Sequence, residues 1–211
     1  MTTLALDKSL TTVINIFRVE PEQQQGSIAA IKEFLSVVKI QPGFVLANLH
    51  QNRDGVKVAN YVRWSGRSAF EAFRANQEVQ QQASKLFEFD TLDSHVDEIV
   101  TSESKVGSQK MNEGEYIAHF AEFSMSPKNQ PHTIALAREH IKPAMERSGL
   151  ISATFHRSSD ETRVINYGQW TDKNAIAMLT KQPEFGKEKP YWDGIAENED
   201  RLGRVVHTVN A

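Results

Sequence analysis

The sequence predicts an α+β fold made of two copies of one βαββαβ unit. Three observations support this prediction: the chain repeats itself at a spacing of 106 residues, each copy alternates strand-like with helix-like segments, and each copy contains two strand-like runs that a hairpin would join. With 211 residues, 39% of them hydrophobic, the chain is long enough for one large core or two small ones. We therefore expect two domains of the same fold, residues 1–105 and 106–211.

The repeat is clearest around the predicted hairpin. Between Gly43 and Trp64, 8 of 22 positions are identical to the residue 106 positions later, without a gap. This period corresponds to a whole small domain, because the units of solenoid proteins are shorter, at roughly 20 to 50 residues. Residues 101–115 are polar and lack apolar periodicity, which predicts a linker between the copies.

The first copy begins with a strand and a helix. Residues 12–19 are apolar and β-branched, which predicts a strand. After Pro21, apolar residues recur at helical spacing, and Pro42 with Gly43 marks the end of that helix. Glutamines 23–25 are expected on its solvated face.

A hairpin, a second helix and a last strand complete the copy. Asp54-Gly55 separates FVLANLHQ from VKVANYVRW, and this dipeptide between two such runs is the strongest short-range hairpin signal. Ser68 as N-cap and Glu71 three residues later have the spacing of a capping box, which predicts the start of the second helix. Residues 95–100 predict a short closing strand.

The second copy repeats this order. Its strands are EYIAHFAEFSM, LISATFHR, TRVINYGQW and RVVHTV, and its second helix starts at Asp172. Pro143 and Pro183 fall in predicted helices, which we expect to be kinked or shortened. With right-handed crossovers, the order βαββαβ gives a four-stranded antiparallel sheet with both helices on one face, a ferredoxin-like sandwich.

The two faces of the hairpin predict how the copies pack. With a two-residue turn at Asp54-Gly55, alternation divides the hairpin residues between the two faces of the sheet. The face under the helices would carry Val45, Ala47, Leu49, Val58, Asn60, Val62 and Trp64. The other would carry Phe44, Leu46, Asn48, His50, Ala59, Tyr61 and Arg63, with Leu150, His156, Ile165 and Tyr167 in the second copy. Both faces are substantially apolar, so we predict that the two sheets pack against each other as an internal pseudo-dimer.

The motif Asn-Tyr-x-x-Trp supplies the candidate site residues, Asn60 with Trp64 and Asn166 with Trp170. A spacing of four in a strand puts both side chains on one face, about 13 Å apart. Asparagine is uncommon in strands, and an amide on an apolar face needs a hydrogen-bond partner, which a polar ligand in a cavity would provide. A purely structural role, with Trp in the core and Asn bonded to a neighbouring strand, is the alternative.

Composition and missing motifs exclude several functions. The absence of cysteine rules out disulfides, thiolate nucleophiles and cysteine-ligated metals, and 24 basic against 27 acidic residues leave no basic field for nucleic acid. No signal peptide or membrane span is predicted, so we expect a cytoplasmic protein. His132 and His140 lack metal-ligand spacing, and glycine-rich nucleotide loops are absent. His50 and His156 are expected near the interface between the sheets, in structural roles.

Three segments together, VINIFRVEP, QPGFVLANLHQNRDGVKVANYVRW and SAFEAF, resemble the antibiotic biosynthesis monooxygenase family of dimeric α+β barrels. The resemblance covers nearly the whole first copy and mainly the hairpin of the second. Members are typically single-domain homodimers, so a tandem chain resembles a fused dimer. The resemblance implies oxygenation of electron-rich aromatics such as anthrones, phenols and quinols by O₂, with no flavin, metal or other cofactor.

The resemblance also implies roles for particular residues. Family oxygenases of anthrones use an Asn and a Trp on this strand, and the two Asn/Trp pairs fall at the matching spacing. Those enzymes also use a Tyr early in the following helix, where this chain has Phe70 and Ile176, so no general base is assigned. Substrate pockets are expected between each sheet and its helices, lined by Phe73 and Phe87 in the first copy.

Two alternatives stay open. Haem-degrading enzymes of the same fold share the strand Asn and Trp, but they need a His on the second helix, and this chain has none between residues 51 and 94 or between 157 and 206. A non-catalytic binding or stress-associated module with degenerate pockets is the other; the absent Tyr favours it and the paired Asn and Trp oppose it. The expected partners are a small aromatic substrate and O₂, and further pairing of two such chains is left open.

Overall fold

The fold was obtained as a computed structural model that describes residues 3–4, 9–84, 92–107, 109–111, 113–182, 185 and 190–211. The elements of the first half are β1 (Thr3–Leu4), β2 (Thr11–Arg18), α1 (Gln24–Val38), β3 (Phe44–Asn52), β4 (Lys57–Trp64), α2 (Arg67–Ala75), α3 (Gln77–Ala83) and β5 (Leu92–Ser104). Those of the second half are β6 (Gln109–Lys110), β7 (Ile117–Ser124), α4 (Gln130–Met145), β8 (Leu150–Ser158), β9 (Arg163–Trp170), α5 (Lys173–Leu179) and β10 (Glu197–Asn210). The predicted pair of ferredoxin-like repeats is confirmed.

Eight strands form one closed barrel in the order β10-β3-β4-β2-β5-β8-β9-β7. Strand β5 pairs with β2 over residues 92–97 and then with β8 over residues 97–104. Strand β10 pairs with β7 and then with β3 in the same way. The predicted intramolecular barrel is therefore confirmed, and the last strand of each half also extends the sheet of the other half.

The closing strands are longer than the sequence predicted. Strand β5 has 13 residues and β10 has 14, whereas short strands were expected. Residues 101–104 belong to β5, and residues 109–110 pair with β1 near the N-terminus, so the expected linker over 101–115 is partly strand. Polar residues adopt a strand here because the facing strand of the other half supplies hydrogen-bond partners.

The barrel wall has two apolar faces. Its outer face packs against the helices, and in the first half Val58, Val62 and Trp64 meet Ile31 and Leu35 of α1. Its inner face combines both halves in one cluster of Ile14, Ile16, Leu46, Ala59, Tyr61, Met111, Ala118, Phe120, Ile165, Tyr167 and Val205. The predicted hairpin register is observed from Leu46 to Gln51.

A β-bulge changes the register at the start of β3. Phe44 faces Trp64 and Leu46 faces Arg63, so Val45 is an extra residue on its strand. Phe44 consequently packs on the helix side and Val45 against the inner cluster, opposite to the prediction. The same irregularity between Leu150 and Ser152 places Leu150 on the helix side, so its predicted inner position is also wrong.

The predicted capping box at the start of α2 is wrong. The helix begins at Arg67 with Gly66 as its N-cap, so Ser68 lies inside the first turn. The carboxylate of Glu71 instead accepts a hydrogen bond of 2.9 Å from Arg67, one turn earlier. An ion pair across one turn of an exposed helix thus replaces the expected cap.

The helices of the second half are partly as expected. Asp172 is the N-cap of α5 and accepts bonds from two backbone N–H groups of its first turn. Pro143 lies inside α4, close to the C-terminal end of the helix, and Pro183 lies outside the described residues. Of the helices described, none is both long and apolar enough to cross a membrane.

A buried glutamine ties the first helix of each half to the adjacent hairpin. Gln24 Nε2 donates hydrogen bonds to the carbonyl oxygens of Asn52 and Lys57, at 2.9 and 3.0 Å. Gln130 makes the equivalent two bonds in the second half, both at 3.0 Å. Because Gln24 is 4% exposed, the expected solvent position of glutamines 23–25 is wrong for the middle residue.

Two repeated glycines allow close contact between hairpin and helix. Gly43 and Gly149 have φ values of 80° and 86°, which residues with a side chain rarely adopt. A Cβ atom at either position would also overlap with an alanine of the following helix, Ala69 or Ala175. These contacts explain why glycine occupies the position before the hairpin in both copies.

Candidate functional site

A cavity of about 330 Å³ lies between the sheet of the first half and its helices. Asn60, Trp64 and Phe73 line it, whereas Phe87 lies outside the described residues. The remaining wall is mostly apolar and includes Val13, Phe17, Phe34, Leu35, Val38, Val62, Phe70, Ala83 and Val96. Since a cavity of roughly 150 Å³ holds benzene, this first cavity has room for fused aromatic rings.

The amide oxygen of Asn60 is available to a ligand. Asn60 is 6% exposed, and its Oδ1 atom has no hydrogen-bond partner among the described residues. Across the ladder it faces Asn15 of β2, which in turn faces Ser94 of β5. Ser94 Oγ donates to Asn15 Oδ1 at 2.6 Å, so Asn15 already has a partner. An unpaired buried polar atom costs on the order of 1–3 kcal/mol, which a bound ligand would recover.

Aromatic contacts hold Trp64 against the cavity. Its ring centroid lies 4.6 Å from that of Phe73, and Phe44 meets it edge-on at 5.9 Å. Phe70 is 6.1 Å from Trp64 and lines the cavity without supplying a hydroxyl group. Among the described wall residues, the one titratable side chain is that of Arg74.

A second, smaller cavity of about 60 Å³ occupies the equivalent place in the second half. Asn166 and Trp170 line it. Asn166 Oδ1 and Trp170 Nε1 are both buried, and neither has a hydrogen-bond partner in the part of the chain that the structure describes. Tyr191 and Trp192 fill much of the space, since both rings pack against Phe123. The second cavity is thus too small for fused rings.

The matched part of the chain contains the first cavity. Residues 11–84 match the sequence profile of the antibiotic biosynthesis monooxygenase family. Over 83 residues the chain is 35% identical to tetracenomycin-F1 monooxygenase of Streptomyces glaucescens, an alignment that covers 38% of this chain and 72% of that protein. The chain belongs to the antibiotic biosynthesis monooxygenase family.

Solved structures share the fold of this antibiotic biosynthesis monooxygenase family member over both halves. An anthrone oxidase-like protein superposes with a TM-score of 0.81 at 19% identity, over 100% of this chain and 97% of the other. A monooxygenase-like protein from Listeria innocua gives a TM-score of 0.53 at 11% identity, over 92% and 94%. These similarities show the fold, including the two-repeat barrel.

In this family member, a histidine and an aspartate complete the wall of the second cavity. His119 Nε2 lies 3.0 Å from Asp200 Oδ1, and both residues line the cavity. In the β7–β9 ladder His119 faces Gly168, which lies between Asn166 and Trp170 on the same face of β9. The second cavity therefore combines a carboxylate-bound imidazole with an amide and an indole N–H.

Among the polar wall residues that were absent from the sequence prediction are Asn15, Ser94, His119 and Asp200. Comparing the two copies highlighted identical residues, and these four differ between the copies: Asn15 corresponds to Ala121, and His119 to Val13. For Asn15 and His119 the available signal was a polar residue at a helix-facing position of a largely apolar strand. Ser94 and Asp200 lie in strands with many polar residues and had no such signal.

The two repeated histidines lie inside the barrel. His50 Nε2 is 3.2 Å from the hydroxyl of Tyr167, and Tyr61 donates or accepts the equivalent bond of 3.0 Å with His156 Nε2. Burial lowers the pKa of His50 to about 4 and that of His156 to about 3. Both imidazoles are therefore neutral near pH 7, and their place at the interface between the halves confirms the expected position.

Buried ion pairs also connect the halves. Lys57 Nζ of the first half lies 2.9 Å from Glu122 Oε1 and 2.7 Å from Glu199 Oε2, both of the second half. Arg163 makes the opposite connection, at 3.0 Å, to Asp97 of β5. Burial raises the pKa of Asp97 to about 7 despite the nearby guanidinium. These pairs lie at the barrel ends, outside the residues that line the first and second cavities.

Proposed function

We propose that this chain is a cofactor-independent monooxygenase that oxidises an electron-rich aromatic, an anthrone, phenol or quinol, with O₂ in the first cavity. The observation that carries the proposal is the buried side chain of Asn60, whose Oδ1 atom has no partner among the described residues, beside Trp64 in an apolar cavity of about 330 Å³. The names of two similar proteins agree with it, since one is called tetracenomycin-F1 monooxygenase and the other anthrone oxidase-like.

The chemistry requires little from the protein beyond binding an anion. When an anthrone CH₂ group becomes a carbonyl, one atom of O₂ enters the product, and the other leaves as water with the two hydrogens. The substrate anion supplies the electrons that reduce O₂, so the site must favour that anion and exclude bulk water. The unpartnered Oδ1 atom of Asn60 can accept a hydrogen bond from a substrate hydroxyl. The side-chain N–H groups of Asn60 and Trp64 are donors of the kind that stabilise a developing oxyanion, at about 3 to 4 kcal/mol for one such donor.

The rest of the wall suits a flat, apolar substrate. The rings of Phe73 and Trp64 are tilted by 35°, and the ring centroid of Phe34 lies 6.5 Å from that of Phe73. We assign substrate contact to Phe73 and, from the sequence, to Phe87. Arg74 lies 5.8 Å from the ring of Phe70 and is exposed, where its positive charge would attract an anionic substrate.

The second Asn/Trp pair is assigned the same donor role for smaller ligands. Asn166 and Trp170 stand at the positions of the first pair and line the second cavity. Its volume of about 60 Å³ excludes an anthrone. The turnover of fused-ring substrates is therefore assigned to the first half of the chain.

Oxygen uptake tests the proposal. Metal-free, colourless protein is mixed with a panel of anthrones and hydroquinones, and O₂ consumption is measured together with quinone absorbance. Asn60→Ala is expected to lower the rate by about 10²- to 10³-fold. The control Asn174→Ala changes an exposed asparagine of α5 and should leave the rate unchanged.

Ligand binding separates the proposal from its rivals. Binding of an anthraquinone, followed by quenching of tryptophan fluorescence, with no O₂ uptake from any substrate would indicate a non-catalytic binding module. A visible absorbance band in the purified protein would indicate a bound haem or flavin and contradict cofactor independence.

A further inference from the structure

The second cavity has a set of polar atoms that lack partners. They are His119 Nδ1, Asn166 Oδ1 and Trp170 Nε1, all buried and without a hydrogen-bond partner among the residues described. All three side chains line the same cavity. Because buried polar atoms in folded proteins are nearly always paired, three such atoms around one cavity indicate a ligand with a polar group.

The strand register brings these groups together. His119 faces Gly168, and the side chains of residues 166 and 170 lie on either side of that glycine, on the same face. A Cβ atom on Gly168 would lie 3.0 Å from Trp170 Nε1 and 3.7 Å from the Cβ of His119. Because Gly168 has no side chain, the indole N–H of Trp170 can lie beside the imidazole of His119.

The first half has no equivalent of this group. Val62 stands at the position of Gly168, and Val13 at that of His119. The first cavity is large and lacks a described proton acceptor, whereas the second is small and contains one. The two cavities therefore differ both in volume and in whether a proton acceptor lines them.

Asp200 determines which nitrogen of His119 is available. A carboxylate only accepts hydrogen bonds, so the 3.0 Å contact with Asp200 requires the proton of the neutral imidazole to be on Nε2. The lone pair is then on Nδ1, the nitrogen without a partner. A histidine held in this tautomer by a carboxylate is the usual arrangement of a general base, because the carboxylate also stabilises the imidazolium.

The walls of the second cavity are rich in aromatic side chains, which favours a ligand with an aromatic ring. Tyr191 stacks on His140 with ring centroids 4.6 Å apart and an angle of 16° between the planes. An aromatic ring can therefore lie flat against His140 in this wall, as the ring of Tyr191 does. His140, Tyr191 and Asp200 are the other titratable groups that face His119 across the cavity.

We propose that the second cavity is a separate site for a single-ring phenol or hydroquinone, whose hydroxyl group loses its proton to His119. The O–H bond breaks, the proton moves to Nδ1, and the electron pair stays on the phenolate oxygen, to which Trp170 Nε1–H donates. The choice of ligand class rests on the proposed function, but the proton transfer does not require O₂.

The size of the cavity sets the limit of one ring. About 60 Å³ is less than half of the roughly 150 Å³ that holds benzene, so a phenol displaces a wall residue when it binds. Tyr191 and Trp192 are half-buried and lie in turns outside the helices and strands. The proposal therefore requires these two side chains to move outward when the ring binds. A fused-ring ligand would need a larger displacement and is excluded.

Ionisation of 4-nitrophenol under anaerobic conditions tests the proposal, because its phenolate absorbs visible light. Excess wild-type protein should lower the pH midpoint of ionisation of the probe by about one unit or more. His119→Gln keeps a donor toward Asp200 but removes the Nδ1 lone pair, so it should abolish the shift. Asp200→Asn should reduce it, and His132→Gln, at an exposed histidine of α4, should retain it.

Several results would overturn the proposal. These are the absence of a shift with wild-type protein, an equal shift with folded His119→Gln, and a shift that disappears in Asn60→Ala but persists in His119→Gln, which would place the probe in the first cavity. If His119→Gln does not fold, as judged by circular dichroism, an undiminished shift with Asp200→Asn has the same consequence. Since no O₂ is used, failure here leaves the proposed function untouched, and absence of O₂ uptake leaves this test valid.

Discussion

The hydroxyl of Tyr61 and Nε2 of His156 lie 3.0 Å apart inside the barrel, although the two residues belong to opposite halves of the chain. The duplicate of this contact joins His50 to Tyr167 at 3.2 Å. All four side chains are fully buried, and they connect the halves while both imidazoles are neutral. Protonation of either histidine would place an uncompensated charge in the barrel interior.

Acid should therefore weaken the fold through these histidines. The folded-state pKa of His156 is about 3, below the value of about 6.5 in an unfolded chain, so between these pH values the unfolded state binds more protons. The contribution is present above pH 6.5 and is lost as the pH falls toward 3, with a slope of about 1.4 kcal/mol per pH unit. Asp97 acts in the opposite direction, because burial raises its pKa to about 7.

We predict that His156→Gln reduces the slope of unfolding free energy against pH by about one proton between about pH 4.5 and 6. Gln keeps an acceptor for Tyr61 and cannot be protonated, so the difference from wild type isolates this one histidine. Urea denaturation at several pH values measures the slope. His132→Gln is the control, since that histidine is exposed; equal slopes for wild type and His156→Gln would contradict the prediction.

The buried glutamines supply a second prediction. Gln24→Ala removes hydrogen bonds to two carbonyl oxygens beside the hairpin turn and should lower the free energy of unfolding by about 2–4 kcal/mol. Gln130→Ala should have a similar effect in the second half. Gln25 is exposed, and Gln25→Ala should change stability by less than about 0.5 kcal/mol. A loss with Gln24→Ala no larger than with Gln25→Ala would show that the hairpin does not depend on this side chain.

Much of the fold could be predicted because the sequence patterns that determine it are local or occur twice. Alternating apolar residues and the Asp54-Gly55 turn determine the hairpin, and the spacing of 106 residues shows that it occurs twice. The long strands β5 and β10 could not be predicted in full, because polar residues such as 101–104 become strand only through pairing with the other half. The bulge at Val45 likewise has no signal in the sequence.

The candidate site was predictable to a similar extent. The repeated motif identified Asn60 and Trp64, and both line the first cavity. The motif could not show that the two cavities differ in volume, because that difference depends on Tyr191 and Trp192, which lie outside the motif. His119 escaped prediction because only one copy contains it.

The buried ion pairs that cross between the halves give a third prediction. Lys57 is enclosed and compensates Glu122, which is also nearly buried, together with Glu199. Lys57→Met leaves a buried carboxylate without its cation and should destabilise the protein by about 3–5 kcal/mol in chemical denaturation. Breaking the exposed pair on α2 with Arg67→Met should cost no more than about 1 kcal/mol. Equal effects of the two substitutions would show that enclosure does not matter here.

The exchange of closing strands predicts how the halves behave apart. We propose residues 1–105 and 106–211 as the two repeat units, yet residues 97–104 of β5 take their hydrogen-bond partners from β8. Expressed alone, residues 1–105 would expose this edge and the inner face of the sheet, and both features favour association. Light scattering after size exclusion should give about twice the mass of the fragment, because a second copy can complete the barrel in the place of residues 106–211.

Adding the fragment 106–211 should convert this dimer into a mixed one, since the natural pair alone has the cross-half contacts of Lys57 and Arg163. A folded, monomeric fragment 1–105 would show that each half is stable without the strand that the other contributes.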